Sequence, residues 1–463
     1  MNHVKFIVAG IVSLGVTSAI LGCSASSQPD DSTSTSTSGG GAGGSNVTTT
    51  TAIGVGSGGG TTAKLGCSDD LQSVVDEAGT VVQSCPPDQG CFDGSCIPAC
   101  EAAAKSQGSI GCEYMTMTPP FINNANVGVS PLDGPCYAVF VANAWGRHAK
   151  LSLSYGGQSY DVAQFARVPS GVGAAAQYNP LPAQGLPPGE VAVLFLSHRP
   201  GVYHPIGSSL ECPTAPAVLL DTAIHNSGRG TAFAISSDTP ITSYDILPYG
   251  GAQSYLPSAS LLYPRTAWGS NYLAVAPHGG NNSGKLWLGL VGQTDNTTVT
   301  LNSPVSLPGG GNAPAVTANT PATFTINAGE VIQWHGADPT AAVLQSDNPV
   351  AVFTGSDYLR VPTANSLNGG GQDSAHQQIP HVSALGHEYV GGGVVTRRAD
   401  LALEDMHYRL VGAVDGTQLT WDPGPPMGAP TQLNRGDVVE FSTTSFFFVA
   451  AQDDGFPFSL TQY

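Results

Sequence analysis

Leu290-Val291-Gly292-Gln293-Thr294-Asp295-Asn296-Thr297-Thr298-Val299-Thr300-Leu301 is the stretch that decides how this chain folds. An apolar step ends at Gly292 and an acidic turn follows at Asp295-Asn296. Polar and apolar residues then alternate with the period of two that a half-buried strand requires. The same landmarks return at the same spacing in Leu410-Val411-Gly412, Asp415-Gly416 and Thr417-Gln418-Leu419-Thr420-Trp421. Upstream of the two copies, Ala267-Trp268-Gly269-Ser270-Asn271-Tyr272 parallels Ala384-Leu385-Gly386-His387-Glu388-Tyr389.

A Gly-acid-Val step occurs three times, at Gly189-Glu190-Val191, Gly329-Glu330-Val331 and Gly436-Asp437-Val438. Each precedes an apolar run. The glycine suits the turn before a strand, and the acid is expected to point into solvent. Acidic turns with proline close the modules: Ser237-Asp238-Thr239-Pro240, Ser346-Asp347-Asn348-Pro349 and, more loosely, Asp453-Asp454-Gly455-Phe456-Pro457. The shared order marks an internal repeat. It predicts three tandem β-sandwich-like modules near 136–250, 265–355 and 380–463, within an all-β region spanning 116–463.

The surrounding sequence fits that class. Alternation is clear at 150–155 and 322–326, and no segment after residue 113 keeps a 3.6-residue period over three turns. The continuous apolar runs 191–196 and 446–451 suit strands buried on both faces. With 59 Gly and 35 Pro, the composition favours short strands joined by tight turns.

The N-terminal quarter is different. Lys5 and the apolar run from Phe6 to Leu21 end in Ile20-Leu21-Gly22-Cys23, which resembles the lipobox of a bacterial lipoprotein signal peptide. The run is too short for a comfortable membrane span. Residues 1–22 therefore read as a signal peptide and Cys23 as the lipid attachment residue. Ser24 at the next position leans toward the outer membrane. Residues 23–64, rich in Ser, Thr and Gly, read as a disordered linker. Residues 65–115 form a small cysteine-rich unit that needs cross-links because it can bury little core.

The chain has 463 residues and nine cysteines. Setting Cys23 aside leaves an even set: Cys67, Cys85, Cys91, Cys96, Cys100, Cys112, Cys136 and Cys212. In an exported chain these read as disulfides, with connectivity open. A zinc site is disfavoured because no histidine lies among them. With 33 acidic against 15 basic residues and a net charge of −18, the chain lacks the clustered cations that phosphate binding needs. Nucleic acid and anionic lipid surfaces are thereby excluded as partners, and membrane contact is expected only through the lipid.

The stretch Ser346-Asp347-Asn348-Pro349-Val350-Ala351-Val352-Phe353-Thr354-Gly355 resembles the IgGFc-binding protein N-terminal domain family. So does Ala375-His376-Gln377-Gln378-Ile379-Pro380, leading to Leu385-Gly386-His387-Glu388-Tyr389-Val390. The cysteine-rich lead, Cys85-Pro86-Pro87-Asp88-Gln89-Gly90-Cys91 with Ala99-Cys100-Glu101, is similar to the front of surface lipoproteins of this type in predatory, social Gram-negative bacteria such as myxobacteria. The resemblance covers roughly 110–463. It implies a cell-surface binding or adhesion module without implying Fc as the ligand.

No residue set announces a chemistry. The run 279–285 nearly reads as a phosphate loop but ends in Leu286, with no helix to follow. Asp373, His376, His381 and His387 crowd one stretch, yet Pro380 breaks any helix that would align them as metal ligands. The pairs Glu404-Asp405 and Asp453-Asp454 read as solvated turns, and Asp295-Asn296 lacks a complete calcium loop. Trp145, Trp268, Trp287, Trp334 and Trp421 read as core; any exposed one would offer a sugar-stacking face. We accordingly assign no catalytic residue, metal site or cofactor. The expected role is non-catalytic binding of an extracellular protein or glycan ligand. The alternatives are a secreted-type hydrolase acting on polysaccharide or protein, and a passive structural surface protein.

Overall fold

A computed structural model describes residues 64–122, 134–201, 210–250, 256–277, 284–361 and 373–463, apart from 395, 397 and 399. The signal segment, Cys23, nearly all of the linker and most of the 279–285 loop lie outside the described residues.

The cysteine-rich unit holds strands β1 (Gly66–Cys67), β2 (Ser73–Val75) and β3 (Val81–Ser84), the hairpin β4 (Gln89–Phe92) and β5 (Ser95–Pro98), and helix α1 (Ala99–Ser106). Disulfides join Cys67 to Cys91, Cys85 to Cys96 and Cys100 to Cys112. The third of these ties α1 to the strand that follows it. Trp145, from the next module, is buried against the unit and donates its indole N–H to Pro87 O at 3.0 Å.

That next strand is β6 (Gly111–Thr116), followed by β7 (Tyr137–Ala142), β8 (Leu151–Tyr155), β9 (Gln158–Tyr160) and the short helix α2 (Val162–Phe165). The hairpin β10 (Ala166–Ser170) and β11 (Gln177–Pro180) comes next, then β12 (Val191–Ser197), β13 (Gly228–Thr231), β14 (Phe233–Leu247) and β15 (Ser258–Leu262). β14 is shared by two sheets. Its first half pairs with β6 and β8, and its second half pairs with β7 and β15. The bend falls at Asp238-Thr239-Pro240, where Asp238 Oδ1 accepts the Lys150 N–H at 2.8 Å.

Module two repeats this plan with β16 (Gly269–Leu273), β17 (Leu286–Gly292), β18 (Thr297–Asn302), β19 (Ala322–Ile326), β20 (Glu330–His335), β21 (Val343–Leu359) and β22 (Asp373–Ile379). Here β21 is the shared strand, joined to β16 and β18 before its bend and to β17 and β22 after it. At the bend, Asp347 Oδ1 accepts the Thr298 N–H at 2.9 Å, and that bond holds its carboxyl below the ordinary range.

Module three has β23 (Glu388–Gly391), β24 (Met406–Gly412), β25 (Thr417–Gln418), β26 (Thr420–Asp422), β27 (Gln432–Leu433), β28 (Val438–Thr443), β29 (Phe447–Ala450) and β30 (Phe458–Gln462). The shared strand is split there. β29 pairs with β23 and β26, and β30 pairs with β24. Gln452 replaces the aspartate at the corner, its Oε1 accepting the Gln418 N–H at 2.8 Å.

A tyrosine locks each corner. Tyr114, Tyr272 and Tyr389 donate to the carbonyls of Ile241, Val350 and Phe458, each the residue after a corner proline. Each phenol oxygen also accepts the N–H of the glycine three residues earlier, Gly111, Gly269 or Gly386. Burial raises all three tyrosine pKa values, that of Tyr389 to about 12. The same Gly-x-x-Tyr pattern thus opens all three modules. It places the start of module one at β6, in the stretch that the sequence reading gave to the cysteine-rich unit.

The Gly-acid-Val turns are built alike. Gly189, Gly329 and Gly436 have φ of 78°, 70° and 87°, a region costly for residues with a Cβ. Glu330 Oε2 and Asp437 Oδ2 fold back to accept the N–H of Asn327 and Asn434. Glu330 also pairs with Arg229, so its carboxylate is engaged rather than simply facing water. A Cβ at Gly292 or Gly412 would strike the carbonyl of Asn327 or Asn434, which explains the glycine that ends each Leu-Val-Gly step.

Modules one and two join through a common core. The outer face of the β20–β17–β21 sheet carries Trp287, Val291, Val331, Ala351 and Phe353. It is buried in one cluster with Met117, Phe121 and Ile122 from the loop after β6. β13, from the chain of module one, completes the edge of β20. Modules two and three join differently. Arg409 on β24 donates to Ala276 O (2.7 Å), Pro277 O (3.2 Å) and Thr340 Oγ1 (2.9 Å), and pairs with Glu440 at 2.6 Å. Tyr463 donates to Ala276 O at 3.1 Å.

Candidate binding surface

All five tryptophans are buried, at 9% exposure or less, so none offers a sugar-stacking face. Asp373, His376, His381 and His387 do not converge. His376 is buried, His381 takes Ser383 Oγ at 2.7 Å, and His387 lies beside Glu388. Among the described residues no group of three His, Cys, Asp or Glu side chains is arranged to hold a metal. Asp295-Asn296 is consumed by structure: Asp295 Oδ1 accepts the Ala328 N–H and the Asn296 N–H donates to Asn327 Oδ1. Asp415, Gly416 and Asn434 repeat that lattice in module three. Asp453 and Asp454 are exposed turn residues, as read. Glu404 is not solvated; it is 3% exposed, and Thr396 Oγ1 donates to Ala402 O and to Glu404 Oε1.

One constellation escaped the sequence reading because its members are up to 131 residues apart. Ser258 Oγ lies 2.6 Å from His376 Nδ1, and His376 Nε2 lies 2.8 Å from Asp245 Oδ1. Asp245 is fully buried and also accepts bonds from Thr116, Tyr137 and the Ser260 N–H. Burial and the neighbouring Asp245 carboxylate push the Tyr137 phenol far above its ordinary value. Acyl transfer would also need a space for substrate and donors for an oxyanion. The two best-formed concavities among the described residues lie elsewhere, along Gly284, Asp338 and Ser356 and along Ser152, Ser154 and Ser236. The network acts as a polar tie between β14, β15 and β22, fastening module one to module two.

What remains is an apolar surface at the end of module three. The run 446–451 was expected to be buried on both faces. Phe447 and Val449 do face the core, but Phe446 and Phe448 are 66% and 39% exposed. Val390, opposite Phe448 in the β23–β29 register, is 76% exposed. Phe446 lies against Gly392, where a Cβ would strike its ring. The loop that starts there carries Val394, Leu401 and Leu403 at 55%, 78% and 58% exposure. On the equivalent sheet face module one bears Ser152, Ser154 and Ser236 and module two bears Thr298, Thr300 and Thr323, although module one exposes Val172, Leu219 and Leu220 elsewhere. Clustered exposed apolar side chains of this kind mark interaction sites rather than folding cores.

The fold and this surface define a class, a tandem array of β-sandwich modules with exposed apolar side chains on module three. Residues 258–463 match the family model described as IgGFc binding protein. The match starts at the first residue of β15 and takes in modules two and three. The rest of module one, including its β10–β11 hairpin, lies outside it. No curated protein and no solved structure matches the chain. No helix among the described residues is long and apolar enough to cross a membrane.

Proposed function

We propose that this chain is a lipid-anchored cell-surface protein that binds an extracellular protein ligand through the exposed end of module three. The supporting observation is the exposure of Val390, Leu401, Leu403 and Phe446, at 76%, 78%, 58% and 66%, on β23, the loop that follows it and the residue just before β29. The binding role in the matched family's description agrees with it. A protein ligand is favoured over a glycan because the matched family is described by a protein ligand and the exposed residues are mostly aliphatic, with Val390, Val394, Leu401 and Leu403 beside Phe446. In this reading Cys23 carries the lipid, residues 24–63 hold the modules away from an outer membrane, and the disulfides suit an oxidising exterior.

Protein and glycan arrays probed with the chain from Ser24 to Tyr463 test the reading. A saturable protein signal that Leu401→Asp with Phe446→Asp abolishes supports it. A signal indifferent to that double change places recognition on another face and sinks the assignment. Lipidation is tested separately by mass spectrometry of the mature N-terminus.

A further inference from the structure

Histidines seated on aspartates recur through this fold. His225, His335 and His376 set Nε2 against Asp221, Asp357 and Asp245 at 2.6, 3.0 and 2.8 Å. His198 is held differently. It is 7% exposed, both ring nitrogens are sealed from solvent, and neither has a hydrogen-bond partner in the protein. Buried polar atoms are nearly always bonded, so this ring departs from the rule twice. A carboxylate oxygen, Glu211 Oε1, stands 4.0 Å from Nε2 but takes the Gly201 N–H at 3.2 Å.

The ring sits where two passes of the chain meet the end of β12. On one side the Arg199 N–H donates to Gly134 O at 2.8 Å, two residues before Cys136. On the other side the Ala217 and Val218 N–H groups donate to Phe195 O and Leu196 O, and the His198 N–H donates to Val218 O at 3.1 Å. The Cys136–Cys212 disulfide joins the two passes, and Cys212 Sγ lies 3.8 Å from Ser197 O. Cys136 is fully buried.

Glu211 is the charged group whose field reaches the ring. Residues 134–136 and 213–218 carry no acid, base or histidine, and Asp221, beyond them, is engaged by His225. Arg199 follows His198 on the same element. Burial outweighs Glu211 and lowers the imidazole pKa from its ordinary 6.5. The folded state therefore holds the ring uncharged. The stability this seat contributes is complete above pH 6.5 and is lost as pH falls through the folded value.

We propose that His198 is an acid-released latch: on taking a proton its ring leaves the buried seat, the 210–218 pass loosens from the end of β12, and the Cys136–Cys212 disulfide opens to reagents in solution. The device belongs to module one and does not depend on the binding surface of module three.

Reduction by a water-soluble phosphine, then maleimide labelling and peptide mass spectrometry, tests this on the chain from Ser24 to Tyr463. Cys136 and Cys212 should label severalfold faster at about pH 5.5 than at about pH 7.5, with a ceiling of about tenfold set by linkage one unit below the ordinary value. The Cys67–Cys91 disulfide is the internal reference and should show no such acceleration. His198→Phe loses no hydrogen bond of the ring, so it should fold like the parent and label equally at both pH values. Glu211→Gln keeps an oxygen for the Gly201 N–H but removes the charge that favours the protonated ring, so it should enlarge the acid effect. Equal rates at the two pH values in the parent overturn the proposal. So does an acid effect that survives His198→Phe, or one that Glu211→Gln leaves unchanged.

Discussion

The two joints of the array put different residues at one structural position. Gly289 and Arg409 each stand three residues before the glycine that ends their strand, and each faces the preceding module. Gly289 leaves room for Met117, and the apolar cores on either side merge. Arg409 fills the space with a guanidinium that is 5% exposed and spends its donors on carbonyls, a threonine and a glutamate. The cores of modules two and three stay separate. An apolar joint couples its partners through area removed from water, and a polar joint through a few directed bonds. Modules one and two should thus unfold as one unit, and module three should be able to part from them.

Removing the centre of the apolar joint is the most severe way to break this contrast. Trp287→Ala is expected to cost roughly 4 kcal/mol from the lost side chain and the cavity it leaves. Calorimetry should show modules one and two losing stability together. A loss confined to module two would mean the joint is not cooperative.

Arg409→Met should cost about 3 kcal/mol, because the Ala276 and Pro277 carbonyls and the Glu440 carboxylate lose a buried charged partner. Its signature should be a separate, earlier transition for module three. An unchanged single transition would show that the polar joint contributes little.

Alkaline titration sharpens the same difference. Burial raises the phenol of Tyr463, at the polar joint, to about 12, with Arg409 opposing that rise; Tyr389 in module three is also raised to about 12. A folded pKa above the ordinary value of 10 means the folded state holds the proton more tightly. The stabilisation is therefore complete below pH 10 and is lost as pH climbs toward 12. Module three should loosen in that window, read as phenolate absorbance rising together with protease sensitivity near residue 405. Tyr463→Phe is the mildest change, expected to cost about 1 kcal/mol by removing the bond to Ala276 O. It should narrow the alkaline effect without affecting modules one and two.

Much of each module could be read from sequence because its signals are local. A glycine with positive φ, an acid that caps its own turn and an aspartate beside a corner proline act within a few residues. The continuous apolar run 191–196 announced a strand covered on both faces, and β12 is one. The run 446–451 gave the same signal, yet one face is bare, because periodicity reports what a strand could bury and not whether a neighbour exists. Gly111-x-x-Tyr114 carried a third copy of the opening pattern in plain view, hidden by its place among the cysteines. The Asp245–His376–Ser258 network and the contacts of Arg409 left no trace in spacing, since only the folded chain brings such distant residues together.

The Cys136–Cys212 bond has a mechanical consequence. It closes a loop of 76 residues around much of module one. If the chain is pulled between an anchored N-terminus and a partner held at module three, that loop cannot lengthen while the bond is intact. Fully extended it would add about 250 Å of contour. Under load, module one would therefore act as the stiff root of the tether, and the first slack would come from module three leaving its polar joint.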